Sequence, residues 1–465
     1  MHRRPSDDYP VGAAGQGRPV RERLATMVAI SLAVGMASLD SAIANTVLPS
    51  LSAQLGVGPA AVIWVVTSYQ LVMVAAMLPL AALGEAVGHR KVFTAGVVVF
   101  TVTSFLCGMA DSLSSLVAAR AAQGMGAAAI MGSNTALVRL AYPPERLGRG
   151  LGLNALVIAL GLAGGPVVAS GVLAFTSWHW LFYLNVPLGA CAGLLAWRMK
   201  APQSDEGRRF DLVAALLCSA AFALSVHGLG ALAHGGMNVV IAAEWALALC
   251  CGAWLVRREH GCAAPILPVD LFRNAPFALS SATAVCAFTT QGLALVALPF
   301  LFHTVLGRSQ TEIGMLIAPW PITGAVMAPF AGSLSDRVPP GLLGGLGLCC
   351  LAASIASLTL LDADASAGVI MLCTLFCGFG FGLFLSPNQR MLMSSAPAGR
   401  SGSASGVLGV TRLLGQTTGA ALVALGLSAS LRAGVGPVLW TGVGFAACGA
   451  VLSLLRLLVP QGRVR

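Results

Sequence analysis

The sequence predicts an all-α integral membrane protein with fourteen transmembrane helices: two pseudo-repeated six-helix bundles plus two inserted helices. Three observations carry that expectation. Of 465 residues, 57% are hydrophobic and only 9% charged, with mean hydropathy +0.84; a soluble domain carries roughly 25% charge. The chain also divides into fourteen apolar runs, most of them reaching the ~20 residues that cross ~30 Å of hydrocarbon. Finally, the basic residues collect in alternate loops, as they do on the cytoplasmic side of membrane proteins.

The runs lie at 24–48, 60–82, 91–110, 115–138, 150–175, 180–198, 211–232, 238–256, 277–303, 312–334, 341–361, 367–386, 404–431 and 436–458, those at 180–198 and 238–256 being short. Twenty-three of the 27 Lys and Arg fall before the first run, after an even-numbered run, or at or beyond the end of the last. Arg308 and Arg432 lie on the other side, and Arg120 and Arg412 fall at or within runs. Both termini are therefore expected in the cytoplasm, and the formal charge of +10 reflects topology rather than affinity for nucleic acid. The first run is longer than the ~7–15-residue core of a cleaved signal, and more runs follow it. Residues 1–23 read as a disordered cytoplasmic tail, and 460–465 as a second tail.

A shift of 254 residues aligns Gly124, Gly126, Asn134, Pro143, Arg146, Gly161 and Gly165 with Gly378, Gly380, Asn388, Pro397, Arg400, Gly415 and Gly419. With a shift of 251, Asp40 meets Gln291 and Glu85 meets Asp336. The sequence thus divides into a bundle at 24–199, a linker with two extra helices at 200–275, and a second bundle at 276–459. Parallel repeats of this kind build secondary transporters with the substrate between the halves.

Eleven of the 12 cysteines sit inside apolar runs, as small buried residues do, and no paired C-x-x-C metal spacing occurs. There is no G-x-x-x-x-G-K-[ST] and no H-E-x-x-H. The sequence therefore predicts no enzyme, no cofactor and no metal.

Ionisable residues inside a span are costly and mark function. Asp40 lies more than two turns before Pro49, where partial desolvation favours protonation and suits a proton-coupled carrier; the alternative is a structural Asp bonded to nearby backbone or Ser. Asn45 is five residues on, about 140° round the helix. Arg120, Gln123 and Asn134 share one stripe of the fourth run, expected to face the interior; Arg120 stays charged and either pairs with or tunes a carboxylate, or snorkels to an interface. The loop from Leu83 to Lys91, with Glu85, Gly88 and Arg90, and its counterpart with Asp336 and Arg337, reads as an acid–base latch or a plain basic turn. In the fifth run, Gly161, Gly165 and Gly171 permit close helix approach and Pro166 a bend. Trp64, Tyr69, Gln70 and Gln291 are further candidates for lining a cavity. His227 and Glu244 lie in the inserted pair, where packing serves equally well.

At these motifs the chain resembles the major facilitator superfamily, and within it the fourteen-helix drug:proton antiporters of the QacA and EmrB types; it is similar to the YebQ-type transporters of enterobacteria. The segment from Leu39 to Pro49 resembles the group's first-helix motif, which implies that Asp40 handles a proton or cation. Glu85 to Lys91 resembles the gating motif between helices 2 and 3, Arg120 to Gly126 the fourth-helix motif linked to proton coupling, and Gly161 to Gly171 the antiporter motif. Trp178 to Pro187 is similar to the group's helix 5–6 junction. Ala81, Glu85 and Ala86 depart from the gating motif's usual Gly, Asp and basic residue, which bears on the latch, and His179 stands where Arg is common.

The resemblance implies proton-driven export of small organic molecules across the bacterial inner membrane; the acid at position 40 favours lipophilic cations, a preference that Arg120 opposes. The alternatives are export of one metabolite, proton symport, or a non-transporting scaffold. The expected partners are the substrate, protons and the lipid bilayer, with no nucleic acid; a periplasmic adaptor is left open.

Overall fold

The computed structural model describes residues 20–142, 147–199, 210–235, 238–260, 266–362, 364–395, 401–429 and 431–459. Most of the expected first tail (1–19), the tail 460–465, the polar stretch 200–209 and the repeat positions Pro143, Arg146, Pro397 and Arg400 lie outside these residues. Among the described residues, every regular element is helical.

The first group runs α1 (Val20–Thr46), α2 (Leu48–Leu55), α3 (Pro59–Val62), α4 (Trp64–Val87), α5 (His89–Gly108), α6 (Leu113–Ala141), α7 (Leu147–Phe175), α8 (His179–Tyr183) and α9 (Asn185–Trp197). Then come α10 (Leu212–Gly235) and α11 (Val239–Arg258). The last group is α12 (Ala275–Phe300), α13 (Gln310–Ile317), α14 (Pro319–Leu334), α15 (Pro340–Thr359), α16 (Ala367–Ser394), α17 (Ser401–Ala429) and α18 (Leu431–Leu455). Consecutive short and long helices combine into single spans, such as Pro59–Val87 and Gln310–Leu334.

Thirteen helical spans among the described residues are long and apolar enough to cross a membrane, against the fourteen expected. The remaining run, 115–138, forms α6. At 29 residues it is about 43 Å long, ample for crossing, but Arg120, Gln123, Asn134 and Arg139 make it too polar to qualify by composition. Two spans outrun their apolar segments: α4 continues to Val87 and α16 to Ser394. Their polar last turns, with Glu85 in one and Asn388 and Arg390 in the other, keep the backbone bonds of the helix while leaving the hydropathy signal.

Glycines set the packing. A β-carbon on Gly124 would collide with the Tyr69 carbonyl, and one on Gly126 would stand 2.6 Å from the Phe100 nitrogen, so α6 nests between α4 and α5. In the last group Gly378 faces the Trp320 carbonyl, and a β-carbon on Gly380 would stand 2.5 Å from the Gly347 carbonyl, so α16 nests between α14 and α15. Likewise α7 lies on α1 through Gly161 and Gly165, and α17 on α12 through Gly415 and Gly419. The obstacle at Gly124 is backbone, which cannot rotate away. Gly124→Val should therefore part α4 from α6 and destabilise by at least the ~1–3 kcal/mol typical of overpacking, read as a lowered melting temperature in detergent.

Candidate functional site

Asp40 sits in α1 six residues before the helix ends at Thr46, only 2% exposed. Its carboxylate is enclosed by side chains from two other helices. The Arg120 guanidinium donates to Oδ2 at 2.6 Å, the Gln123 amide to Oδ1 at 3.2 Å, and the Asn185 amide to Oδ1 at 2.8 Å. Arg120, Gln123 and Asn185 are fully buried. Arg120 and Gln123 come from one stripe of α6, three residues apart, where side chains are neighbours. Asn185 is the first residue of α9.

A second layer fixes these groups. Arg120 donates to Gln123 Oε1 at 2.6 Å and, through Nε, to the Val65 carbonyl at 3.1 Å. Gln123 donates to Ser104 Oγ at 2.7 Å, which sets its amide orientation. The guanidinium lies over the Tyr69 ring at 4.2 Å and the Phe182 ring at 5.6 Å, favourable cation–π geometry in a dry site. A fully desolvated ion pair is stable only where such bonds satisfy the remaining lone pairs and protons. The cluster ties α1, α4, α5, α6, α8 and α9 together.

The other expected site residues divide. Asn45 does not join: it is half-buried with a partnerless Oδ1, as its 140° offset from Asp40 requires. Asn134 lies 14 residues from Arg120 on α6, about 21 Å along the axis, buried with a partnerless Oδ1; it keeps the stripe but not the cluster. Trp64 faces α10 instead, lining a pocket with Gly230, Ala421 and Ala424 beside the His227 ring at 5.9 Å. His227 meets Glu244 at 3.1 Å, a clasp within the inserted pair. Gln70 is buried with a partnerless Oε1. Gln291 accepts from Gln416 at 3.2 Å, joining α12 to α17.

In the loop before α5, Gly88 has φ +103°, a conformation that favours glycine. Glu85 is exposed at the end of α4, while Arg90 donates to the Trp197 carbonyl at the end of α9. At the counterpart an acid–base latch is visible. There Asp336 pairs with Arg390 of α16, which also donates to Ser335 Oγ at 3.0 Å; Arg337 is exposed. In α7, Gly161 and Gly165 make the expected close approach to α1, and Pro166 lies inside the unbroken helix. Gly171 does not share that role: space around its Cα is open.

Sequence reasoning missed several residues. Asn185 stood inside a quoted motif without a role, its partner 145 residues away. Gln310 bridges the two groups of helices: its amide donates to the Thr46 carbonyl at 2.9 Å, its Oε1 accepts from Ser50 at 3.0 Å, and its carbonyl accepts from Ser170 at 3.1 Å. Arg456, 4% exposed, donates to Asn388 Oδ1 at 2.7 Å and Ser280 Oγ at 3.1 Å. The aligned Asn388 and Asn134 thus differ, one bonded to an arginine and one not.

Many apolar spans around a buried ion pair are the build of a multi-pass membrane transporter. Residues 30–420 match the Major Facilitator Superfamily model, and the chain belongs to that family, whose members are transporters and not enzymes. It is 44% identical over 449 residues to a protein of Escherichia coli K12 described as uncharacterised transporter YebQ, covering 96% of this chain and 98% of that one. It is 33% identical to multidrug resistance protein Stp of Mycobacterium tuberculosis, covering 90% and 78%. A crystal structure of a bacterial homolog of the human lysosomal transporter Spinster, inward-facing and unoccupied, shares the fold with TM-score 0.66 at 16% identity, over 94% and 97% of the two chains.

Proposed function

We propose that the chain is a proton-coupled exporter of small organic molecules, working by alternating access between bundles 24–199 and 276–459 in the bacterial inner membrane. The observation that carries this reading is the Asp40–Arg120 pair. It holds a titratable acid out of water at membrane depth, a placement that usually marks a proton or substrate path. A proton on Asp40 cancels its charge and frees Arg120. The contacts of α1 with α6 and α9 then weaken, and the helices can slide toward the other arrangement; loss of the proton re-forms the pair. The proton gradient supplies the drive, and no cofactor enters.

Two packed units are supported by recurring contacts. The pairs α1–α7, α1–α9, α4–α6, α5–α6 and α5–α9 have counterparts in α12–α17, α12–α18, α14–α16, α15–α16 and α15–α18. The inserted α10 touches α4 and α17, one from each unit. With the basic residues cytoplasmic, the Thr46 end of α1 is periplasmic, and Gln310 bolts the units together there. Gln310→Ala should loosen this bolt. Maleimide labelling of a cysteine introduced at Ser170 should rise several-fold, each lost hydrogen bond being worth about 1 kcal/mol; unchanged labelling would remove Gln310 from the gate.

The printed name of Stp supports drug-like cargo. The sequence favoured lipophilic cations because of the acid at position 40, but Arg120 neutralises that acid and removes the charge argument. Transport is tested in liposomes with an imposed proton gradient and a panel of organic compounds. Movement of cargo against its gradient with matching proton flux supports the reading. Gradient-independent leakage across the whole panel refutes it.

A further inference from the structure

We propose that Arg412 anchors an anionic head on the transported molecule, so that the cargo class is amphipathic organic anions: a lipophilic body bearing a carboxylate. This rests on the transport reading above and names its substrate chemistry.

Arg412 lies in α17, within the membrane span Gly406–Ser428. The other buried arginines are accounted for. Arg120 has Asp40, and Arg456 has Asn388, Ser280 and Ser453. Arg412 has neither arrangement: its Nε is buried without a hydrogen-bond partner. Among the described residues, no ion pair to a carboxylate reaches it. The residue as a whole is half-buried rather than sealed.

Its position is the seam between the bundles. One turn before it, a β-carbon on Gly409 would collide with the Met77 methyl of α4. The next residue, Leu413, packs in one apolar cluster with Tyr69, Met73 and Met77. One turn after it, half-buried Gln416 bonds to half-buried Gln291. The seam thus offers one cation and a pair of amides beside a methionine-rich wall, and flexible thioethers adapt to varied apolar shapes. Tyr69 carries Arg120 on its ring, so the seam adjoins the Asp40 cluster.

Charge decides the class. Asp40 and Arg120 cancel, and Arg412 leaves the seam net positive. A desolvated guanidinium without an acid is unfavourable, and its planar fork fits a carboxylate with two parallel bonds. A cation would be repelled and a neutral molecule would leave the guanidinium unsatisfied.

The test is equilibrium binding in phosphatidylcholine nanodiscs without any gradient, which separates it from proton coupling. The probes are dansylaminoundecanoate, its methyl ester and tetraphenylphosphonium. The carboxylate should bind wild type at least about tenfold more tightly than Arg412→Gln, as loss of a charge-assisted bond implies, with Arg412→Lys between them. The ester should bind both alike, and tetraphenylphosphonium no more tightly than the ester. Arg412→Gln should melt no lower than wild type, since it leaves no orphaned partner; if it melts early, the Lys variant decides by losing carboxylate and not ester affinity. Equal carboxylate affinity in wild type and both variants would overturn the assignment. So would displacement of the probe when phosphatidylglycerol is added to the discs, which would give the site to a lipid headgroup. Arg412-dependent binding without proton-driven flux would overturn the coupling reading and leave this one standing.

Discussion

Asp40→Asn abolishes proton-driven accumulation of cargo, with flux falling to that of empty liposomes, while the protein still folds. The amide keeps nearly the shape of the carboxylate and still offers an oxygen to Arg120. What it loses is the charge-assisted component of that bond, about 1.5–3 kcal/mol, and the capacity to take up a proton. Exchange of labelled cargo down its own gradient should persist, because cargo binding at the seam needs no titration of residue 40. Measuring both fluxes on one preparation separates lost coupling from lost fold. Full proton-driven uptake in this variant would leave Asp40 as a structural acid.

Arg120→Leu has the larger expected effect on stability. It leaves the Asp40 carboxylate, 2% exposed, with two neutral amides and no cation. Breaking a buried pair from one side costs about 3–5 kcal/mol, and the stacking on Tyr69 and Phe182 is lost as well. A membrane protein of ordinary marginal stability then yields little folded material. The double variant Asp40→Asn with Arg120→Leu removes both charges and should recover much of the melting temperature without recovering coupled transport. Thermal melts of the single and double variants form the cycle that measures the pair. An additive result, with no recovery, would show that the two residues contribute independently.

The spans were legible because bilayer thickness imposes a length and a composition that survive without knowledge of contacts. The same logic explains α6: its polar stripe of Arg120, Gln123 and Asn134 lowers the hydropathy by which a span is recognised. Asp40, Arg120 and Gln123 stood out because polar groups are conspicuous in apolar helices, and the three-residue spacing on α6 follows from helix geometry alone. A carboxylate partner for Arg120 was expected, but its identity as Asp40 was not legible, since the two are 80 residues apart and no local rule joins them. Asn185 escaped for a related reason. At the first position of α9, beside Pro187, it reads as a helix-start residue, and only the packing of α9 on α1 brings its amide to Asp40. In the second loop the latch forms as Asp336–Arg390, its basic partner coming from the neighbouring α16 rather than from the loop, which no local pattern announces. Gln310, a polar residue at a span boundary, carries no periodic signal at all.

The central claim, that Asp40 gains and loses a proton as the units exchange arrangements, is tested most directly by infrared difference spectroscopy of the reconstituted protein. Wild type is compared with Asp40→Asn during cargo-driven turnover. The account predicts a protonated-carboxyl band that appears and disappears with turnover in wild type and is missing from the variant. A carboxylate at position 40 that stays ionised throughout, while cargo still moves against its gradient, would contradict it.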